Sequence, residues 1–170
     1  MNMEKPSVLA ERQPHRRLLP SFLFDTDHSK PAYILKAWLL CLIPSLALAG
    51  IVTGLAPEPP SPDFGGSGMA IYLLLILFAP VVETLLMTPP LLILNRLLGE
   101  TAAVIGSAIL WGVLHSSREP LWGLIIWWPF LIFSAVILAW RKKDVFTGML
   151  LVIAVHAMQN GLAGFGLLFG

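Results

Sequence analysis

The 170 residues are 56% apolar and 12% charged, with a net charge of +1. A soluble domain carries about 25% charged residues, so too little polar surface exists to cover a water-soluble globule. With a mean hydropathy of +0.79, the chain reads first as a membrane protein, and bases scattered through its loops argue against a nucleic-acid partner.

The first 36 residues are polar, basic and proline-containing, and read as a flexible cytoplasmic tail with Arg16 and Arg17 placed to meet anionic lipid. Five charge-poor stretches follow, at 37–56, 68–95, 101–117, 121–140 and 145–169. Four reach the roughly 20 apolar residues that a spanning helix needs; the third is marginal unless it is buried among the others. Nothing alternates every second residue, so a barrel is not expected. The expected architecture is an all-α membrane bundle of about five transmembrane helices, with four forming the core around the motifs.

In the first span, Cys41 reads as a small packing residue. "ALA" at Ala47 to Ala49 faintly resembles a cleavage site, but the leading segment is too long for an ordinary signal peptide, so an uncleaved helix is expected. The following loop, "APEPPSPDFGGSG", is a linker with Glu58 and Asp63 and no base. Lys5, Arg12, Arg16, Arg17, Lys30, Lys36, Arg96, Arg141, Lys142 and Lys143 all fall on one side of a five-span chain; Arg118 alone falls on the other. That bias predicts a cytoplasmic N-terminus and an outer C-terminus.

The second span holds one carboxylate, Glu83, within an otherwise uncharged run, and Pro80, Pro89 and Pro90 are expected to kink it there. The third ends in "WGVLH", with Trp111 and His115 four apart; Ser116 and Ser117 read as polar capping, since no Gly-x-Ser-x-Gly accompanies them. In the fourth, Ser134, Ala135 and Ala139 offer a small-residue face, and Trp127, Trp128 and Trp140 read as interfacial or lipid-facing aromatics. The fifth contains "HAMQN", which puts His156 and Asn160 on one helix face. No internal repeat is visible.

Ionisable groups at membrane depth are costly and tend to face a bundle interior or cavity. Glu83, His115, His156 and Asn160 lie on three different spans. Brought together in a dry pocket, a carboxylate suits general-base work, and imidazole and amide groups suit an oxyanion. The chemistry of the set is attack of an activated water on a carbonyl. Taken singly, each has a plainer reading: the histidines and Asn160 as helix–helix hydrogen-bond partners, Glu83 as the ion or proton site of a small transporter. Against transport, no inverted repeat supplies a second half.

In their order, "ETLLMT", "WGVLH" and "HAMQN" resemble the motifs of the CPBP group of intramembrane proteases, which contains the type II CAAX prenyl endopeptidases and the bacteriocin-processing and Abi proteins. That family carries Glu-Glu-x-x-x-Arg on one helix, Phe-x-x-x-His on another and His-x-x-x-Asn on a late one. "FTGMLLVIAVHAMQNGL", with its Thr147–Gly148 pair, is also similar, and the resemblance runs from about residue 73 to the C-terminus. It implies a glutamic-type endopeptidase of a bacterial inner membrane, acting on a membrane-anchored protein or peptide. Glu83 and His115 would activate the water, and His156 and Asn160 would hold the oxyanion. No cofactor is expected, although Glu83, His115 and His156 would supply the three protein ligands of a catalytic zinc. The chain departs from the pattern at Thr84 and Thr88, where the family has glutamate and arginine, and at Trp111, where it has phenylalanine. Losing both members of a charge pair orphans neither, which leaves an active site with altered support or a catalytically degenerate scaffold or immunity protein.

Overall fold

The computed structural model describes residues 16, 18–27, 29–56 and 64–169. Lys5, Arg12, Arg17, Glu58 and Asp63, on which part of the charge pattern rests, lie outside the described residues. The described chain is helical with no strand. After a 3-10 turn at Ser21–Phe24 come five helices: α1 (Lys30–Leu55), α2 (Met69–Leu98), α3 (Glu100–Ser116), α4 (Gly123–Trp140) and α5 (Val145–Ala163). A second 3-10 turn, Phe165–Leu168, follows α5. By length and composition α1, α2, α4 and α5 can each cross a bilayer. The fold is thus an all-α membrane bundle. The marginal third span is the 17-residue α3, whose face from Ala103 to Gly112 is buried against its neighbours.

The first helix starts at Lys30, not at residue 37. Ser29 followed by Lys30-Pro31 is a start signal, because a proline in the first turn loses no helical hydrogen bond. The part of the N-terminal segment that is described is not a loose tail. Leu19 and Leu23 are buried, and the Tyr33 hydroxyl donates to the Leu23 carbonyl at 2.8 Å. Arg16 pairs with the buried Glu100 at 2.7 Å, so the segment reaches the turn between α2 and α3. That turn is a single residue, Gly99, at φ 86°, a conformation that favours glycine.

The centre of the bundle is α4, packed by α1, α3 and α5. Residues from Ile132 to Trp140 are buried without interruption, as expected of a helix apolar on every face. Ser134, Ala135 and Ala139 do lie in that packed surface, and Ser134 donates to Ser107 of α3 at 2.9 Å. Cys41 is buried in α1. Two tryptophans differ from expectation. Trp140 is buried edge-on against Tyr33, and Trp128 donates its indole N–H to the Leu40 carbonyl at 2.8 Å. The second contact has a local cause. Pro44 has no N–H to give residue 40, and in a bilayer a freed carbonyl must find another donor.

In α2 the same problem is solved next to the candidate site. Leu74–Phe78 form a single π turn just ahead of Pro80. The Ala79 N–H goes to the Leu74 carbonyl, and Pro80 has none, so the Leu75 carbonyl lacks a helical partner. Asn160 of α5 donates its side-chain amide to it at 3.0 Å. Tyr72 adds a hydrogen bond to the Gly161 carbonyl, and the Gly68 N–H one to Leu167. The first ten residues of α2 are thereby tied to the far end of α5.

Candidate active site

Glu83 projects from α2, His115 from the last turn of α3 and His156 from the middle of α5. Glu83 Oε2 lies 3.9 Å from His115 Nε2 and 3.9 Å from His156 Nε2. Three of the four residues singled out from sequence therefore converge. The separations are too long for direct hydrogen bonds and are in the range where a bridging group is to be considered. Side-chain exposure is 23% for Glu83, 26% for His115 and 6% for His156. Glu83 and His115 are thus partly exposed, and His156 is buried.

The helix lengths set the three residues at one level. At about 1.5 Å per residue, α2 is about 45 Å long, more than the roughly 30 Å of hydrocarbon. Its first ten residues run past the end of α3 alongside the end of α5. Glu83, halfway along α2, thus comes level with the tip of α3.

Each ring is oriented by neighbours. His115 Nδ1 is 2.9 Å from the Trp111 carbonyl, which can only accept, so Nδ1 carries the hydrogen. In the neutral ring, Nε2 then presents its lone pair toward Glu83. Trp111 stacks on Phe130 of α4 with centroids 4.9 Å apart and planes 4° from parallel. Phe130 also contacts both imidazoles, at 5.3 Å and 5.7 Å, and Phe133 lies 4.9 Å from His156. Glu83 Oε2 and His156 Nδ1 are buried and have no hydrogen-bond partner among the described residues. Unpaired buried polar atoms are expensive, and these two belong to two of the three converging side chains.

Below this cluster, one turn along α2, Met87 meets the Ser134–Ser107 pair at 3.9 Å from Ser134 Oγ. Thr84 and Thr88 are buried and uncharged, and the Thr88 hydroxyl donates to the Thr84 carbonyl at 2.7 Å. Ser117 Oγ donates to the Leu114 carbonyl, in keeping with a polar helix end. Gly123 sits where α4 begins against the end of α3, and a Cβ there would overlap the Gly112 carbonyl and Ser116 Oγ. That close approach fixes the tip of α3, and so His115.

Asn160 donates across the interface to α2. One amide hydrogen is spent on Leu75, leaving the second for any other partner. Phe130 and Phe133 escaped the sequence reading because nothing separates them from other apolar residues in a uniformly apolar span. As for zinc, donors about 2 Å from one ion lie closer together than 3.9 Å, and no group of three His, Cys, Asp or Glu among the described residues is arranged to hold a metal ion.

Comparison of the chain with protein-family models, curated proteins and solved structures gives no match.

Proposed function

We propose that the protein is an intramembrane endopeptidase similar to the CPBP group, hydrolysing a peptide bond in a membrane-anchored protein or peptide. One observation carries the reading: a carboxylate oxygen shared at 3.9 Å by two imidazole nitrogens from two other helices. A water between Glu83 Oε2 and His115 Nε2 meets two acceptors and gives each a hydrogen bond, which leaves its lone pair free. As it attacks the carbonyl carbon, its proton passes to Glu83 and the carbonyl oxygen becomes the oxyanion. His156, in the tautomer with hydrogen on Nε2, and the second amide hydrogen of Asn160 are the donors for that charge. Collapse breaks the C–N bond, and Glu83 returns the proton to the leaving amine. No step requires a metal. The end of the bundle carrying Arg16, Lys142 and Lys143 is cytoplasmic, the C-terminus is on the outer side, and the membrane is the inner membrane of a bacterium.

The test uses the full chain in proteoliposomes with a mixture of membrane-anchored peptides, products being read by mass spectrometry. Glu83→Gln lowers cleavage at least about 100-fold, the range for loss of a general base, and cleavage survives exhaustive chelation. Unchanged cleavage by Glu83→Gln discards Glu83 as the base. Two observations favour a second reading, a catalytically silent scaffold: Asn160 is engaged by Leu75, and Thr84 and Thr88 carry no charge. Full rescue of a deletion phenotype by Glu83→Gln would select it.

A further inference from the structure

The opposite end of the bundle from Glu83 carries a feature that proteolysis does not use. A cavity of about 370 Å³ opens between the N-terminal segment and the turn joining α4 to α5, lined in part by Arg16, Phe24, Thr26, Asp27, Lys142 and Lys143. Of the three cations in this lining, Arg16 pairs with Glu100 and Lys143 with Asp27. Two of the cations are held in place. The Arg16 guanidinium lies 4.6 Å over the Phe24 ring and bonds Glu100, while Lys143 bonds Asp27 at 2.9 Å and the Thr26 carbonyl at 3.3 Å. Lys142 is exposed at the wall and makes no hydrogen bond or ion pair among the described residues. A second cavity of about 330 Å³ shares Thr26, Asp27 and Lys143 and adds Lys30 and Asp144.

Fixed cations around a hollow at the end of spanning helices bind an anion at little ordering cost. A basic pocket at such a depth meets the phosphate layer of a bilayer. We propose that this cavity binds a phosphate group, with Lys142 supplying the uncompensated charge and Arg16 and Lys143 the fixed walls. The group is carried by the headgroup of an anionic phospholipid or by soluble phosphate.

The test is native mass spectrometry of the full chain released from nanodiscs of equal phosphatidylglycerol and phosphatidylcholine, with and without inorganic phosphate. The wild type retains phosphatidylglycerol over phosphatidylcholine. Lys142→Ala weakens retention about fivefold, equivalent to the about 1 kcal/mol that a lysine contributes near anionic lipid. Arg96→Ala, which removes an exposed base outside the cavity lining, leaves retention unchanged. Lys142-dependent displacement of the lipid by inorganic phosphate assigns the site to the soluble ion; no displacement assigns it to the lipid. Equal loss in Lys142→Ala and Arg96→Ala overturns the proposal in favour of diffuse surface charge. Equal retention of the two lipids, with no effect of phosphate, also overturns it.

Discussion

Asn160 donates to the carbonyl of Leu75 at 3.0 Å, across the interface between α5 and α2. The acceptor is free because Pro80 cannot supply the N–H that would otherwise close the ladder. Truncating Asn160 to alanine therefore lowers thermal stability in detergent by about 1 kcal/mol, the scale of interhelical hydrogen bonds in membranes. Pro80→Ala in the same chain returns the missing backbone donor and recovers most of that loss. On the proteolytic reading, cleavage recovers with it only if Asn160 acts purely as a structural bridge. If the double variant is stable but inactive, the amide also serves the reaction.

Phe130 touches both imidazoles and stacks on Trp111, whose carbonyl orients His115. On the proteolytic reading, Phe130→Leu keeps the site apolar but lets both rings turn. The expected result is a fall in kcat on the order of 10- to 100-fold, the effect of small misplacements at a reacting centre, with KM little changed. A rise in KM alone would make Phe130 a substrate contact instead of a positioning residue.

Gly123 has no room for a methyl group between the Gly112 carbonyl and Ser116 Oγ. Gly123→Ala must push the start of α4 away from α3 and costs about 1–3 kcal/mol, the range for overpacking. Differential scanning fluorimetry in detergent measures it. An unchanged melting temperature would mean that the two helix ends part without cost.

Asp144 caps α5 by accepting from the Thr147 hydroxyl and amide and from the Phe146 amide. These bonds, Thr147 first, hold its carboxyl below the ordinary 3.8, with Lys30 adding to the effect. The fold favours the charged form, so the cap contributes above the unfolded value and is lost as pH falls through the lower, folded value. Thermal stability is then level from neutral pH to about 5 and declines below about 4. Asp144→Asn keeps an accepting oxygen but does not titrate, and flattens this decline. An identical acid profile for the two proteins would remove Asp144 as its source.

Much of the architecture is legible because lipid imposes a simple rule. Uncharged runs of sufficient length become helices, and the lone acid among them, Glu83, turns inward. The i, i+4 spacings also survive, although each pair does different work: Trp111 orients His115, whereas Asn160 serves Leu75 and not its neighbour His156. What escaped the reading depends on which helix lies beside which. The donors that rescue Leu40 and Leu75 come from residues 88 and 85 positions away, and no local pattern names them. The start of α1 is a different case. Ser29-Lys30-Pro31 was a visible signal, outweighed by the bases at Lys30 and Lys36, which made the segment look like tail.

The Trp128–Leu40 bridge bears on how short the protein can be made. The first helix lies outside the stretch that carries Glu83, His115 and His156, and a minimal fragment beginning at Met69 would be a natural engineering choice. Such a fragment would expose the flank of α4 where Tyr33 meets Trp140 and leave an indole with no acceptor, so its central helix would insert without its register. The first helix is a working part of the protein's frame, and trimming it would loosen the helix that carries Phe130 and Phe133.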